Sequence, residues 1–304
     1  MTQLNFPVKD SFVLAPMDEL NFPAFRLFCK ELGADIIYTH MYDVNVIAKM
    51  TKEEVKKYLA IQENERPIIV QLIVRDLDKI KKSIRLVEDF CDAIDLNCGC
   101  IEKKYLERDC GAALLKDSEK LGKIIRAMVD TSKKPITVKI RIGWDAQSIN
   151  AVKIAKSLEE NGASLIAVHG RTAEQKYKGK ANRVIMKQVK GAVSIPVIAN
   201  GDLKSKEEGI ELMKQSNCDG VMIGREAKYA PWVFTGKQQT NQSIKKHLLR
   251  FIDLCKDYPP HITIKFVQDQ VFRMTRDFKT ETNKREVKSF PTLIGIRRFI
   301  EELE

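Results

Sequence analysis

In Val138-Lys139-Ile140-Arg141-Ile142 the alternation of a strand puts Lys139 and Arg141 on one face of an otherwise apolar run. Burying two cations is costly unless an anion or a polar ligand meets them, so a ligand is expected at that face. Two glycine-bearing turns, Asn200-Gly201-Asp202 and Gly224-Arg225, each follow an apolar run and are each expected to feed a helix. Glycine lets the backbone approach closely, and amides near a helix start bind phosphate. Either turn alone reads as an ordinary turn, but the pair points to a phosphate-bearing cofactor. Cys98, Cys100 and Cys110 form a third group, and a cysteine without further context is a small buried hydrophobe. With Cys91 they make Cys-x6-Cys-x-Cys-x9-Cys, a spacing unlike zinc or iron–sulfur ligand sets, so no metal is expected.

The elements that must position these residues repeat one unit. Short apolar, β-branched runs at 11–17, 35–41, 67–74, 93–98, 136–143, 165–171, 196–202 and 220–225 alternate with helical periodicity. Leu77, Ile80, Ile84 and Val87, spaced by three and four, place one apolar stripe against a sheet. Runs such as Ile68-Ile69-Val70-Gln71-Leu72-Ile73-Val74 are nearly continuous in hydrophobicity, as a parallel sheet covered on both faces requires. Eight such units predict an α/β chain built on a (β/α)8 TIM barrel, whose active site lies at the carboxyl ends of the strands. The competing doubly wound sheet would carry Gly-x-Gly-x-x-Gly after its first strand, and no Gly-x-Gly occurs in the chain. The predicted strand ends carry Ala15-Pro16-Met17, Gln71, Asn97 to Cys100, Lys139, Arg141, His169, Arg171, Asn200-Gly201-Asp202 and Gly224-Arg225.

Beyond Phe234 the alternation stops. Residues 236–242 read as a polar linker and 243–304 as helices, broken at Pro259-Pro260 and around Pro291, which divides the chain into a barrel over 1–235 and a small α-helical domain over 236–304. This tail holds 14 Lys and Arg against nine Asp and Glu, interleaved with Phe266, Phe272 and Phe278, and reads either as a solvated bundle or as an RNA-contacting face. The whole chain of 304 residues carries a net charge of +11, which favours a polyanionic partner. No apolar run is long enough for a membrane span, and the opening residues lack a signal-peptide pattern, so a cytoplasmic location is expected. Seven scattered cysteines argue against a disulfide framework. No protein partner is evident.

The chain resembles the FMN-dependent tRNA-dihydrouridine synthases. The resemblance spans most of its length and rests on an ordered set: Leu14-Ala15-Pro16-Met17, Asn97-Cys98-Gly99-Cys100, Gly111-Ala112-Ala113-Leu114-Leu115, the run from Val168-His169-Gly170-Arg171 to Tyr177-Lys178-Gly179, Ala199-Asn200-Gly201-Asp202, Gly224-Arg225-Glu226-Ala227 and Pro231-Trp232-Val233-Phe234. It implies FMN held by Ala15, Pro16, Met17, Gln71, Lys139, His169, Asn200, Gly201, Asp202, Gly224 and Arg225. Lys139 would lie near the pyrimidine end of the flavin. It implies Cys100 as general acid, Asn97 positioning the uracil, Lys104, Arg141, Arg171 and Tyr177 contacting RNA, tRNA as partner, and NADPH as electron donor.

The chemistry suits these residue types. Saturating the C5–C6 bond of uracil needs a hydride at C6 and a proton at C5, and a thiol with a pKa of about 8.5 is largely protonated at neutral pH. A base stacked in folded RNA must also be turned out, at a cost of a few kcal/mol that phosphate contacts from a basic tail can offset. The sequence departs from the family at three points: Ile101 replaces the proline after the acid, Val74 replaces a glycine, and Glu226 replaces a glycine in the second turn. Without that proline the resting position of Cys100 depends on other contacts, and Glu226 brings a negative charge near the expected phosphate unless it points away or pairs with Arg225. The alternatives are a flavin dehydrogenase acting on a free pyrimidine, which would not need the basic tail, and a non-catalytic RNA-binding protein, which would hold no flavin.

Overall fold

The computed structural model describes residues 3–18, 20–74, 76–257, 263–280 and 282–303. Eight parallel strands close into a barrel in sequence order: β1 (Ser11–Leu14), β2 (Ile36–Asp43), β3 (Ile68–Ile73), β4 (Ala93–Cys98), β5 (Ile136–Arg141), β6 (Leu165–His169), β7 (Val197–Asn200) and β8 (Gly220–Ile223), with β8 pairing back to β1. The (β/α)8 expectation holds. Most predicted strands overran their carboxyl ends, because the chain leaves the sheet where the site begins. Gly201 turns at φ +136° and Arg225 already opens a helix. Strand β2 instead runs on to Asp43, past the predicted end.

Around the barrel lie α1 (Pro23–Glu31), α2 (Val44–Ile47), α3 (Lys52–Leu59), α4 (Leu77–Val87), α5 (Lys103–Leu106), α6 (Ser118–Thr131), α7 (Ala151–Glu160), α8 (Arg183–Ala192), α9 (Lys206–Ser216) and α10 (Arg225–Tyr229). The stripe predicted for α4 buries Ile80, Ile84 and Val87, whereas Leu77 is exposed. Outward-facing strand residues such as Ile94, Leu96 and Cys98 join these helices in the main apolar core. A second, separate cluster fills the inside of the barrel with Val13, Ile36, Tyr38, Ile69, Ala93, Leu165, Ala167, Ile198 and Met222, plugged from below by Leu4 and Phe6.

The chain then continues into α11 (Asn241–Lys256), α12 (Ile264–Met274) and α13 (Leu293–Glu302). Helix α11 begins inside the predicted linker, capped by the Thr240 hydroxyl on the Ser243 amide. The predicted break at Pro259-Pro260 lies outside the described residues, and the one around Pro291 separates a 3-10 turn, Lys284–Ser289, from α13. These helices share the main apolar core with the barrel. Phe251 packs edge-on to Phe25 of α1 at 6.5 Å, and His247 stacks on Trp232 at 5.8 Å. Among the described residues no helix is long and apolar enough to cross a membrane.

Candidate active site

Inward-facing positions change character along the barrel axis. The amino end is apolar, but the same face continues upward into Gln71 on β3, Asp95 and Asn97 on β4, Thr137, Lys139 and Arg141 on β5, His169 on β6 and Asn200 on β7. The sheet register makes neighbours of Asn97 and Lys139, of Arg141 and His169, and of His169 and Asn200. The residues predicted from separate strand ends therefore form one continuous arc at the mouth.

One side of the arc carries the thiol. Asn97 Oδ1 accepts hydrogen bonds from the backbone amides of Gly99 at 3.0 Å and Cys100 at 2.8 Å. Arg141 Nε donates to the Gly99 carbonyl at 2.9 Å, and the Ala112 amide donates to the Cys100 carbonyl at 2.9 Å. Gly111 makes the last contact possible. It adopts φ +61°, and a Cβ there would stand 2.6 Å from the Cys100 carbonyl oxygen. These contacts hold the loop where Ile101 replaces the family's proline. Of the seven cysteines, all reduced, Cys100 alone is not buried, and partial burial raises its pKa, keeping the thiol protonated at neutral pH.

The other side is built from charge. Lys139 Nζ donates to Asn200 Oδ1 at 3.1 Å, and Asn200 Nδ2 donates to the Met222 carbonyl at 2.8 Å. Burial, with Arg141 nearby, lowers Lys139 to about 8. Burial, followed by Lys139, Arg141, Arg171 and Arg225, holds His169 far below the usual imidazole range, so this ring is neutral. Its Nε2 lies 3.5 Å from Arg171 Nη1. A guanidinium has only donors, so this nitrogen takes the acceptor role and Nδ1 carries the proton. Arg171 and Arg225 both bond the Asp202 carboxylate, at 2.6 and 2.7 Å, and the Ala181 amide donates to the same group. Burial works to raise Asp202, but the Ala181 amide and the two guanidiniums outweigh it and keep the carboxylate ionised.

Both turns need glycine because neighbouring side chains pack where a Cβ would stand. A Cβ on Gly201 would meet Ala181 Cβ at 2.7 Å and His169 Cδ2 at 3.3 Å. One on Gly224 would meet Ala15 Cβ at 3.3 Å and Met17 Sδ at 3.9 Å, which brings the predicted segment Ala15-Pro16-Met17 beside the second turn. Both turns lead into a helix at different distances: Gly224 is the N-cap of α10, whereas α9 starts at Lys206, capped by Ser205. Glu226 does not pair with Arg225. It is bound by Arg276, beyond the end of α12.

Gln71, Arg141 and Arg171 are buried and already hydrogen-bonded. Arg141 Nη1 donates to the carbonyls of Thr172 and Lys176, and Arg171 bonds those of Lys178 and Gly179, so both arginines secure the 172–180 loop. That loop carries Tyr177, 56% exposed, with the guanidiniums of Arg225 and Arg141 at 5.3 and 5.8 Å from its ring centroid. Lys104 is exposed and paired with Glu102 at 3.0 Å. Two residues escaped the sequence reading, Asp95 and Thr137. The period of two that singled out Lys139 and Arg141 also aligns Asp95 with Asn97, and Thr137 with Lys139.

A family model for dihydrouridine synthase matches residues 13–289. A probable tRNA-dihydrouridine synthase of Rickettsia bellii is 35% identical over 253 residues, covering 80% of this chain and 78% of that protein. The tRNA-dihydrouridine synthase B of Vibrio vulnificus is 37% identical over 232 residues, covering 76% of this chain and 71% of its own. In fold alone the chain also resembles the old yellow enzyme homologue from Zymomonas mobilis, at TM-score 0.54 and 12% identity over 76% of this chain and 89% of that one. With the predicted strand-end residues gathered on one barrel mouth and a family match over nearly the whole chain, this protein belongs to the dihydrouridine synthase family.

Proposed function

We propose that this protein is an FMN-dependent tRNA-dihydrouridine synthase that reduces the C5–C6 bond of a uridine in tRNA with electrons from NADPH. The observation that carries the proposal is the composition of the mouth: a protonated thiol on one side, and on the other a neutral imidazole surrounded by Lys139, Arg141, Arg171 and Arg225. Such a donor set fits an anionic, phosphate-bearing ring cofactor. Among the described residues Lys139 Nζ bonds an uncharged amide, Asn200 Oδ1, and Gly201 and Gly224 stand where a side chain would crowd Ala181, His169 and Ala15.

When bound and reduced by NADPH, FMN would supply the hydride that uracil receives at C6. Cys100 delivers the proton to C5, and solvent returns one to the thiolate. Lys139 would stand at the cofactor ring as a cation that stabilises developing negative charge. Ala15, Pro16, Met17 and Asn200 line the cofactor, and Gly201, Asp202, Gly224 and Arg225 hold its phosphate, with the Asp202 carboxylate turned to the arginines and its amide available. Asn97 orients the uracil, while Lys104, Tyr177 and residues 236–304 contact the RNA. Arg141 and Arg171 act on RNA through the loop that presents Tyr177.

Purified protein should be yellow, and tRNA from cells lacking it should miss dihydrouridine at a defined position. A colourless protein that binds tRNA would favour the non-catalytic reading. Efficient turnover of free uracil with tRNA untouched would favour a pyrimidine dehydrogenase.

A further inference from the structure

Below the mouth, a hydrogen-bonded chain runs from the barrel interior to the acid loop. Thr137 Oγ1 donates to Asp95 Oδ1 at 2.6 Å, and Gln71 Nε2 donates to Asp95 Oδ2 at 2.8 Å. Asn97 Nδ2 donates to Gln71 Oε1 at 2.8 Å, and Asn97 Oδ1 accepts the amides of Gly99 and Cys100. Asp95, Gln71 and Thr137 are buried and Asn97 nearly so, which leaves no bulk water to substitute for a mismatched partner.

We propose that Asp95 is a positioning residue that fixes the polarity of this chain and, through Gln71 and Asn97, holds the backbone of Cys100 in place for proton delivery. The proposal rests on the reading of Cys100 as proton donor. A carboxylate only accepts, so Gln71 must turn its NH2 toward Asp95 and its oxygen toward Asn97. Asn97 must then turn its NH2 toward Gln71 and its oxygen toward the loop. With an apolar residue at 95 the Gln71 amide loses this constraint. If it flips, its NH2 meets the NH2 of Asn97, and Asn97 can relieve that clash only by turning its own NH2 to the Gly99 and Cys100 amides, donor against donor. Burial raises the Asp95 carboxyl to about 7. The Thr137 hydroxyl can accept as well as donate, so the orientation toward Gln71 survives protonation, and for the same reason it should survive Asp95→Asn.

The test compares wild type, Asp95→Leu and Asp95→Asn as full-length flavoproteins in three measurements: flavin reduction by NADPH, reoxidation of the reduced flavin by tRNA, and alkylation of Cys100 by iodoacetamide. Cys100 is the one thiol that is not buried, so alkylation reports on it selectively. Asp95→Leu should keep its flavin and reduce it within about threefold of wild type, yet be reoxidised by tRNA about 30-fold more slowly, as expected for a displaced reacting group. Its Cys100 alkylation rate should shift severalfold. Asp95→Asn should restore reoxidation to within about threefold of wild type and restore the alkylation rate. If Asp95→Leu does not yield folded protein, Asp95→Ala, which empties the position, is expected to show the same split. Wild-type reoxidation by an apolar variant, or an equal loss in both half-reactions, would overturn the proposal. Should tRNA fail to reoxidise even the wild-type flavin, the functional reading falls on its own. An unchanged alkylation rate then rejects the positioning role separately.

Discussion

The two sides of the barrel mouth are held by different forces. Around β4 the acid loop is fixed through its backbone: one carboxamide gathers two N–H groups, one carbonyl receives the Ala112 amide, and Arg141 Nε bonds the Gly99 carbonyl. Across β6 to β8 the hold is ionic, with Arg171 and Arg225 converging on Asp202. Directional bonds to the backbone set the position of a reacting group without pairing its own side chain to a charge. Clustered cations attract an anion and make their surroundings sensitive to pH and salt. Under the proposed function, the thiol that must stay protonated lies on the first side, and the phosphate that must be held lies on the second.

The sharpest break in this comparison is Cys100→Ala. Dihydrouridine formation should fall by about 10²- to 10³-fold, measured in single turnover, while flavin content and NADPH-driven flavin reduction stay near wild type. A parallel loss of flavin would show that the two sides are not separable. Next is Arg171→Met, which removes a buried guanidinium, unties the 172–180 loop and weakens the hold on Asp202. Removing one partner of a buried pair costs about 3 kcal/mol, reduced here because Asp202 keeps Arg225 and the Ala181 amide. Denaturant unfolding should show that loss, together with weaker flavin retention, and unchanged values would count against an ionic hold.

A smaller effect should follow pH. Lys139 in the free protein loses its proton near 8, and a bound anion raises that value. Flavin affinity should therefore be full below about pH 8 and fall roughly tenfold per unit as pH rises from there toward the bound-state pKa. Reconstitution of apoprotein across that window measures it, and Lys139→Met should flatten the profile. Smallest is Glu226→Gln, which breaks the contact with Arg276. Both side chains have access to solvent, so the cost in thermal unfolding should stay under about 1 kcal/mol, with flavin affinity unaffected.

The barrel was legible because each β/α unit announces itself locally, in a continuous apolar run followed by a helical stripe. The site was legible only where a residue conflicts with its surroundings. Lys139 and Arg141 stood out as cations in an apolar strand, and Gly201 and Gly224 as breaks at strand ends. Asp95 and Thr137 obey the same alternation, but a single acid or hydroxyl in a strand does not reveal that its partner lies on the next strand. Arg141 and Arg171 were legible as functional candidates, but not as the clamps of a loop, because their acceptors are backbone carbonyls that any residue could supply.

From sequence alone came the order of strands and helices and the residue types at each strand end, since these follow from local periodicity and side-chain chemistry, while Cys100 stood out only through the family resemblance. The tertiary structure decided what each group faces. It tied Glu226 to Arg276 rather than to Arg225, delayed α9 until Ser205, and linked Asp95 to Cys100 through two amides. Hydrogen bonding and burial between strands distant in sequence depend on closing the barrel, and no local pattern encodes which of two amide orientations that closure selects.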